Sequence, residues 1–352
     1  MISSERIQYA LSQDGARIAW AASGQGPTLV WAPNNYTSIL EDGINPIRGP
    51  MLRALTTHFR VIRYDHRGFG SSSRNVSDQS LAAWQLDLAA VIDAAQPRGK
   101  VAVLGTSQGA AAAIAFTARH PQRVSRLILH GSTPFGPGHA RSPAVRAYYD
   151  GMMEATRGGW SSRNSAFRMW MSAGLLSDAT PAEIAWFDAF FQRCAEAHDA
   201  VRFLDGWRMM DVRPLFSKIA VPTLVMHNSG DQLLPASLGR ETAASIPAAA
   251  YIALDGKHHV PRPGDGTLTT FLSEILRFTK SEPAALRKRV LTAREADVLK
   301  CLSEGKRNAA IAAHLGIAEK TVRNHLSAIY DKLDVTSRTQ AVLAALRQNN
   351  AA

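Results

Sequence analysis

The sequence predicts a mostly parallel α/β sheet domain that carries a helical cap, followed by a small all-α domain. Three observations lead there. From residue 5 to about 278, short apolar runs rich in Val, Leu and Ile alternate with helical stretches. The candidate strands are 28–32, 60–64, 101–104, 126–130, 223–227 and 251–254. Strands buried on both faces have this composition, and helical crossovers between them make neighbours parallel. Residues 135–211 break the rhythm: they are helical in pattern and heavy in large apolar side chains such as Trp160, Phe167, Met169, Trp170, Phe190 and Trp207. That stretch reads as a cap inserted into the sheet domain. Beyond Leu291 the strand pattern is gone and four short helices remain. The expected division is 1–278 for the sheet domain, 279–290 for a linker containing Pro283 and the basic run Arg287-Lys288-Arg289, and 291–352 for the helical domain.

Composition narrows the function classes. The chain has 352 residues, 46% of them hydrophobic and 20% charged, as in an ordinary globular protein. It opens without an apolar signal-type stretch and no run approaches a membrane span, so a reduced, cytoplasmic protein is expected. Cys194 and Cys301 lie in different expected domains and read as unpaired packing residues. No metal-ligand cluster and no phosphate-cradling glycine loop is visible, so neither metal nor cofactor is expected. The net charge is +11, and +6 of it lies from Leu286 onward, where twelve Lys/Arg face six Asp/Glu. A basic tail points to an anionic partner.

The tail has the parts of a helix-turn-helix. Thr292 and Glu295 are spaced as a capping box for a first helix that Gly305 ends. A second helix over 308–314 is followed by a turn at Gly316 and a third helix from about Glu319. Val322, Leu326, Ile329 and Leu333 make the buried stripe of that third helix, which turns Lys320, Arg323, Asn324 and Ser327 outward. Ser337 and Gln340 are spaced to cap a last helix. The segments LTARE (291–295), IAAHLGI (311–317), TVRNH (321–325) and KLDVTSRTQAV (332–342) together resemble the LuxR/GerE-type DNA-binding domain over its whole length. The resemblance implies that the third helix enters the major groove of double-stranded operator DNA. Arg323, Asn324 and Ser327 would face base edges, and Lys320, Thr321, His325 and Lys332 would meet phosphates. Ala318 stands where the family has a serine N-cap, which costs the third helix about 1 kcal/mol. The resemblance implies that the last helix can dimerise; Ala341, Ala344 and Ala345 offer a small-residue surface for a homodimer, or else belong to the core.

In the sheet domain, Gly105-Thr106-Ser107-Gln108-Gly109 fits G-x-S-x-G with a strand before it and a helix after it, as a nucleophile elbow requires. Asp231 follows the strand 223–227 and His259 follows 251–254, both in loops at strand carboxyl ends, where α/β sheets place their sites. With the segments YDHRGFGS (64–71) and ARHPQRVSRLIL (118–129), these features resemble the α/β-hydrolase superfamily over residues 5–278. The resemblance implies that Ser107 attacks a carbonyl, His259 is base and then acid, and Asp231 orients the imidazole. His258 is the alternative base, and Asp255 or Asp265 the alternative acid. The Gln108 N–H would be one oxyanion donor. The second is expected from Asn34 or Asn35, because Pro33 of Trp31-Ala32-Pro33 has no N–H. The expectation is therefore a transcription regulator gated by a small apolar ester, lactone or aromatic ligand in a hydrolase-like pocket. The alternative is an active serine hydrolase that also regulates.

Overall fold

The computed structural model describes residues 6–34, 36–162, 166–280, 291, 293–333, 335 and 337–350, without the side chains of 167, 293, 331, 344 and 346–350. The chain divides into two compact units, Met1–Thr279 and Lys280–Ala352. Most of the expected linker, residues 281–290, lies outside the described residues, as does Thr292 of the first expected capping box.

In the first unit the order is β1 (Gln8–Leu11), β2 (Arg17–Ser23), β3 (Thr28–Ala32), α1 (Arg48–Thr56), β4 (Arg60–Tyr64), α2 (Leu81–Ala95), β5 (Val101–Thr106), α3 (Gly109–Arg119) and β6 (Val124–His130). Four cap helices follow: α4 (Pro143–Gly159), α5 (Ala166–Leu175), α6 (Pro181–Cys194) and α7 (Ala197–Met209). The unit closes with β7 (Thr223–Asn228), α8 (Ala236–Ser245), β8 (Ala249–Leu254) and α9 (Thr267–Lys280). The eight strands form one sheet in the order β1-β2-β4-β3-β5-β6-β7-β8. From β4 onward in that order all neighbours are parallel, with Leu29 opposite Ala102, Leu104 opposite Ile128 and Val225 opposite Tyr251. The six expected strands are these parallel ones. The antiparallel β1–β2 hairpin is an addition.

Two devices hold this unit in shape. The cap is pinched off at its root by a bridge between Phe135 and Asp211, flanked by hydrogen bonds from Gly136 N to Met210 O and Val212 N to Pro134 O. Phe203 of α7 then plugs it onto the sheet domain, stacking on Trp84 with ring centres 5.3 Å apart and meeting His66 and Phe69 edge-on. The second device is Arg67, whose guanidinium is buried between Asp87 of α2 (2.6 Å) and Asp14 of the β1–β2 turn (2.6 Å). It also donates to the Asp78 and Ala83 carbonyls. The hairpin is thereby clamped to α2 through one residue.

The second unit is α10 (Ala293–Ser303), α11 (Asn308–Leu315), α12 (Glu319–Leu333) and α13 (Arg338–Asn350). Its core joins Val298 and Leu302, Ile311, Val322, Leu326 and Ile329, and Ala341 and Ala345. α11 ends on Gly316 at φ +63, with Ile317 N donating to Ala312 O, the closing bond of a glycine-terminated helix. Ala341 and Ala345 are 0% and 4% exposed within this core, so these two are committed to the fold, and the side chain of Ala344 lies outside the described residues.

Arg67→Met leaves Asp87 buried without its cation. The first unit should lose about 3–5 kcal/mol. Denaturant unfolding followed by tryptophan fluorescence checks this, since all seven tryptophans lie in residues 20–207. An unchanged midpoint would show that the clamp is not holding the hairpin.

Candidate functional site

β5 ends at Thr106 and α3 begins at Gly109, so the chain must reverse within two residues. Ser107 makes the reversal at φ +51, a left-handed conformation that costs a side-chain-bearing residue about 1–2 kcal/mol. The neighbours explain the flanking glycines. A Cβ on Gly105 would lie 2.6 Å from Ala110 Cα, and one on Gly109 would lie 2.3 Å from the Pro33 carbonyl oxygen. Ser107 Oγ donates to Gln108 Oε1 at 2.7 Å.

Asp231 sits in the turn after β7. Its Oδ1 accepts the backbone N–H groups of Leu233 (2.9 Å) and Leu234 (3.0 Å). Its Oδ2 accepts from His259 Nδ1 at 2.7 Å and from His227 Nε2 at 3.1 Å. Burial works against charge on this carboxyl, but the adjacent His259 and the converging donors outweigh it and hold Asp231 well below the usual carboxylate range. His259 therefore keeps its proton on Nδ1, leaving Nε2 as the basic nitrogen. The His227 Nε2 also meets the Leu234 carbonyl at 3.0 Å, an oxygen that only accepts, so Nε2 carries the proton of that ring too.

The imidazole of His259 is located from both sides. Asn228 Nδ2 donates to the His258 carbonyl at 2.7 Å and pins the loop. Gly131, at φ +57 after β6, lets the ring lie close, since a Cβ there would be 2.9 Å from His259 Cε1. Ser107 and His259 line one cavity, whose wall includes Trp31, Asn34, Arg48 and His130. Burial, with His227 and His259 nearby, pushes His130 down to about 3, so it is neutral at ordinary pH. The alternatives are placed elsewhere. His258 turns to Ser177 (3.2 Å), Asp265 accepts the Thr267 N–H at the start of α9 (2.9 Å), and Asp255 is exposed.

Among the described residues, the backbone N–H groups of Gln108 and Asn34 have no hydrogen-bond partner. Asn35 lies outside the described residues. Beside this cavity, Gln108 also lines an apolar chamber under the cap with Met152, Met153, Trp170, Met171 and Trp207. Met169, named among the cap's apolar residues, is 49% exposed, and Met209 is 61% exposed. Phe187, Phe190, Phe191 and Trp160 are core of the cap.

In the second unit, Lys320, Arg323, Asn324 and Ser327 are exposed on one face of α12, while Thr321 and His325 are half-buried beside them. Arg323 Nη1 bonds Glu319 at 3.1 Å, a surface pair 60% and 48% exposed that breaks easily. Lys332 departs from the expected phosphate-contact role. Its side chain is 15% exposed and its Nζ holds the buried Glu295 at 2.5 Å, tying α12 to α10.

Residues 40–261 match the profile of the alpha/beta hydrolase fold. The chain belongs to the α/β-hydrolase fold family. Residues 289–345 match the bacterial regulatory proteins of the luxR family, so this hydrolase-fold chain carries a LuxR-type domain and is a DNA-binding transcription regulator. It is 26% identical over 264 residues to a Caulobacter sp. protein named "Putative carbamate hydrolase RutD", covering 72% of this chain and 94% of that one. The tail is 42% identical over 83 residues to the transcriptional regulatory protein YhcZ of Bacillus subtilis, covering 23% of this chain and 39% of that one. A solved hydrolase from Pseudomonas aeruginosa superposes with a TM-score of 0.63 at 26% identity, covering 79% of this chain and all of that one. An esterase from Exiguobacterium antarcticum, at TM-score 0.67 and 21% identity over 78% of this chain and 99% of its own, shares the fold. No helix among the described residues is long and apolar enough to cross a membrane.

Sequence reasoning did not find His227, Gly131, Asn228 or Arg48. The His-Gly pair at 130–131, directly after a strand, was the available signal for Gly131. Gly131→Ala should push the His259 ring aside and slow labelling of Ser107 by a fluorophosphonate about a hundredfold, with the fold retained by circular dichroism. Labelling at the parent rate would show that the close approach does not position the base.

Proposed function

We propose that the chain is a cytoplasmic transcription regulator whose DNA affinity is set by a small molecule held over Ser107. The observation that supports this reading is that one chain holds both a cavity lined by Ser107 and His259, with an apolar chamber under the cap, and a helix whose exposed face presents Lys320, Arg323, Asn324 and Ser327. The cap chamber is lined by Met, Trp and Leu, which suits an apolar or aromatic ester, lactone or amide. Arg323 and Asn324 read base edges, joined by Ser327. Lys320, Thr321 and His325 meet phosphates, and Lys332 serves the fold. A homodimer would set two reading helices on half-sites about 34 Å apart, one helical turn.

A second reading, that the site also turns its ligand over, is favoured by the Asp231–His259 pair at 2.7 Å beside the Ser107 elbow. In that reading Ser107 Oγ leaves Gln108 Oε1, gives its proton to His259 Nε2 and attacks the carbonyl carbon. The two unpartnered N–H groups, of Gln108 and Asn34, receive the oxyanion. His259 returns the proton to the leaving group, and water repeats the cycle to free the acid.

Intact mass after fluorophosphonate treatment separates the readings. One adduct on the parent and none on Ser107→Ala supports a competent nucleophile. No adduct on folded parent leaves the binding role and removes turnover. On the DNA side, Arg323→Ala should cost about 1–3 kcal/mol of specific binding and relax one base position. An unchanged footprint and affinity would refute the placement of the reading helix.

A further inference from the structure

The wall of the Ser107 cavity contains a buried cation that the serine mechanism does not use. Arg48, the first residue of α1, is 4% exposed and its guanidinium lies over Trp31, 4.2 Å from the ring centre. Its Nε donates to Asp42 at 2.7 Å and its Nη1 to Asn34 Oδ1 at 3.1 Å. Among the described residues its Nη2 has no partner, and neither has Asn34 Nδ2. Both residues line the same cavity as Ser107 and His259.

Asp42 is shared with a second buried guanidinium, Arg63, whose Nε meets its other oxygen at 2.6 Å. Another buried acid, Asp65, accepts the backbone N–H groups of Ile39 and Ser71. A buried guanidinium with one N–H edge unmatched gains from an acceptor placed there. The open side of Arg48 is the cavity side, and a guanidinium edge beside an amide N–H is donor geometry for a carboxylate.

We propose that Arg48 and Asn34 form the anion-recognition end of this cavity, so that the molecule held over Ser107 is a small carboxylate whose acid group rests on Arg48. This deepens the proposed function and rests on its reading that the Ser107 cavity is the ligand site. The chamber that Gln108 lines would offer apolar surface to the rest of the same molecule.

The test compares acids with their amides, using calorimetry on the full chain, so that it does not depend on an active serine. A series from acetate to octanoate, with phenylacetate, is titrated beside the matching amides, with inorganic phosphate as control. At least one acid should bind roughly ten- to a hundredfold more tightly than its amide, the strength of a charge-assisted hydrogen bond. Arg48→Gln should erase that preference and Arg48→Lys should keep part of it. If Arg48→Gln does not fold, the acid-over-amide ratio in the parent and its reduction in Arg48→Lys decide the matter. Equal binding of acids and amides, binding of neither, or binding of phosphate alone overturns the carboxylate assignment. Ser107 labelling, run separately, reports on the nucleophile. Loss of labelling with the acid preference intact therefore sinks turnover and leaves Arg48, and the converse sinks Arg48 alone.

Discussion

A serine stands in the left-handed region at the tip of a buried strand only where the surrounding chain is unusually small and close. Ser107 depends on Gly105, which lets α3 press onto β5, and on Gly109, which lets the Pro33 carbonyl approach the start of α3. The rest of the site follows from that reversal. With α3 held against the sheet, the loops after β3 and β8 deliver Asn34 and His259 to one volume, while Gly131 after β6 and Asp231 after β7 meet the His259 ring. The helix after the elbow opens on four buried alanines, Ala110–Ala113, and the closeness of Ala110 and Ala113 to Gly105 shows why small residues stand there.

Buried charge is handled in two contrasting ways. Asp231 is one carboxylate with four donors converging on it, so it stays ionised and fixes two imidazoles at once. Arg48 and Arg63 both meet Asp42, and Arg48 keeps its Nη2 edge unmatched on the wall of the Ser107 cavity. The first arrangement is closed and self-sufficient, as a positioning device should be. The second is open, as a recognition device should be, because a ligand gains most where the protein alone cannot satisfy its own groups.

What the sequence discloses follows from how local each signal is. The parallel strands are short runs of Val, Leu and Ile buried on both faces, and the elbow is five contiguous residues, so both are legible. The β1–β2 hairpin is not. β1 buries only Ala10, leaving Tyr9 and Leu11 exposed at the sheet edge, and β2 uses alanines at 19, 21 and 22 where a strand reading looks for β-branched residues. Asp231 and His259 are readable because their loops follow recognisable strands. Arg48 and Asp42 come from a stretch without motif, and only the tertiary fold brings them to Ser107. Lys332 fails for a related reason: its place at the end of the reading helix suggests DNA, but its partner Glu295 is 37 residues away in sequence.

The resting contact of the nucleophile links the proposed ligand chamber to the Ser107 cavity. Ser107 Oγ gives its proton to Gln108 Oε1, and Gln108 is the residue that also faces the cap chamber. In the proposed reading, an occupant of that chamber would touch the group that restrains the serine, which would couple binding to release of the nucleophile. Linkage then constrains the regulator. A ligand that alters operator affinity by some factor has its own affinity altered by that factor when the operator is bound. If the serine turns over as well, occupancy is a balance of supply against hydrolysis rather than of supply against dissociation. The signal at the DNA would then decay when supply stops, with no separate step needed to clear it.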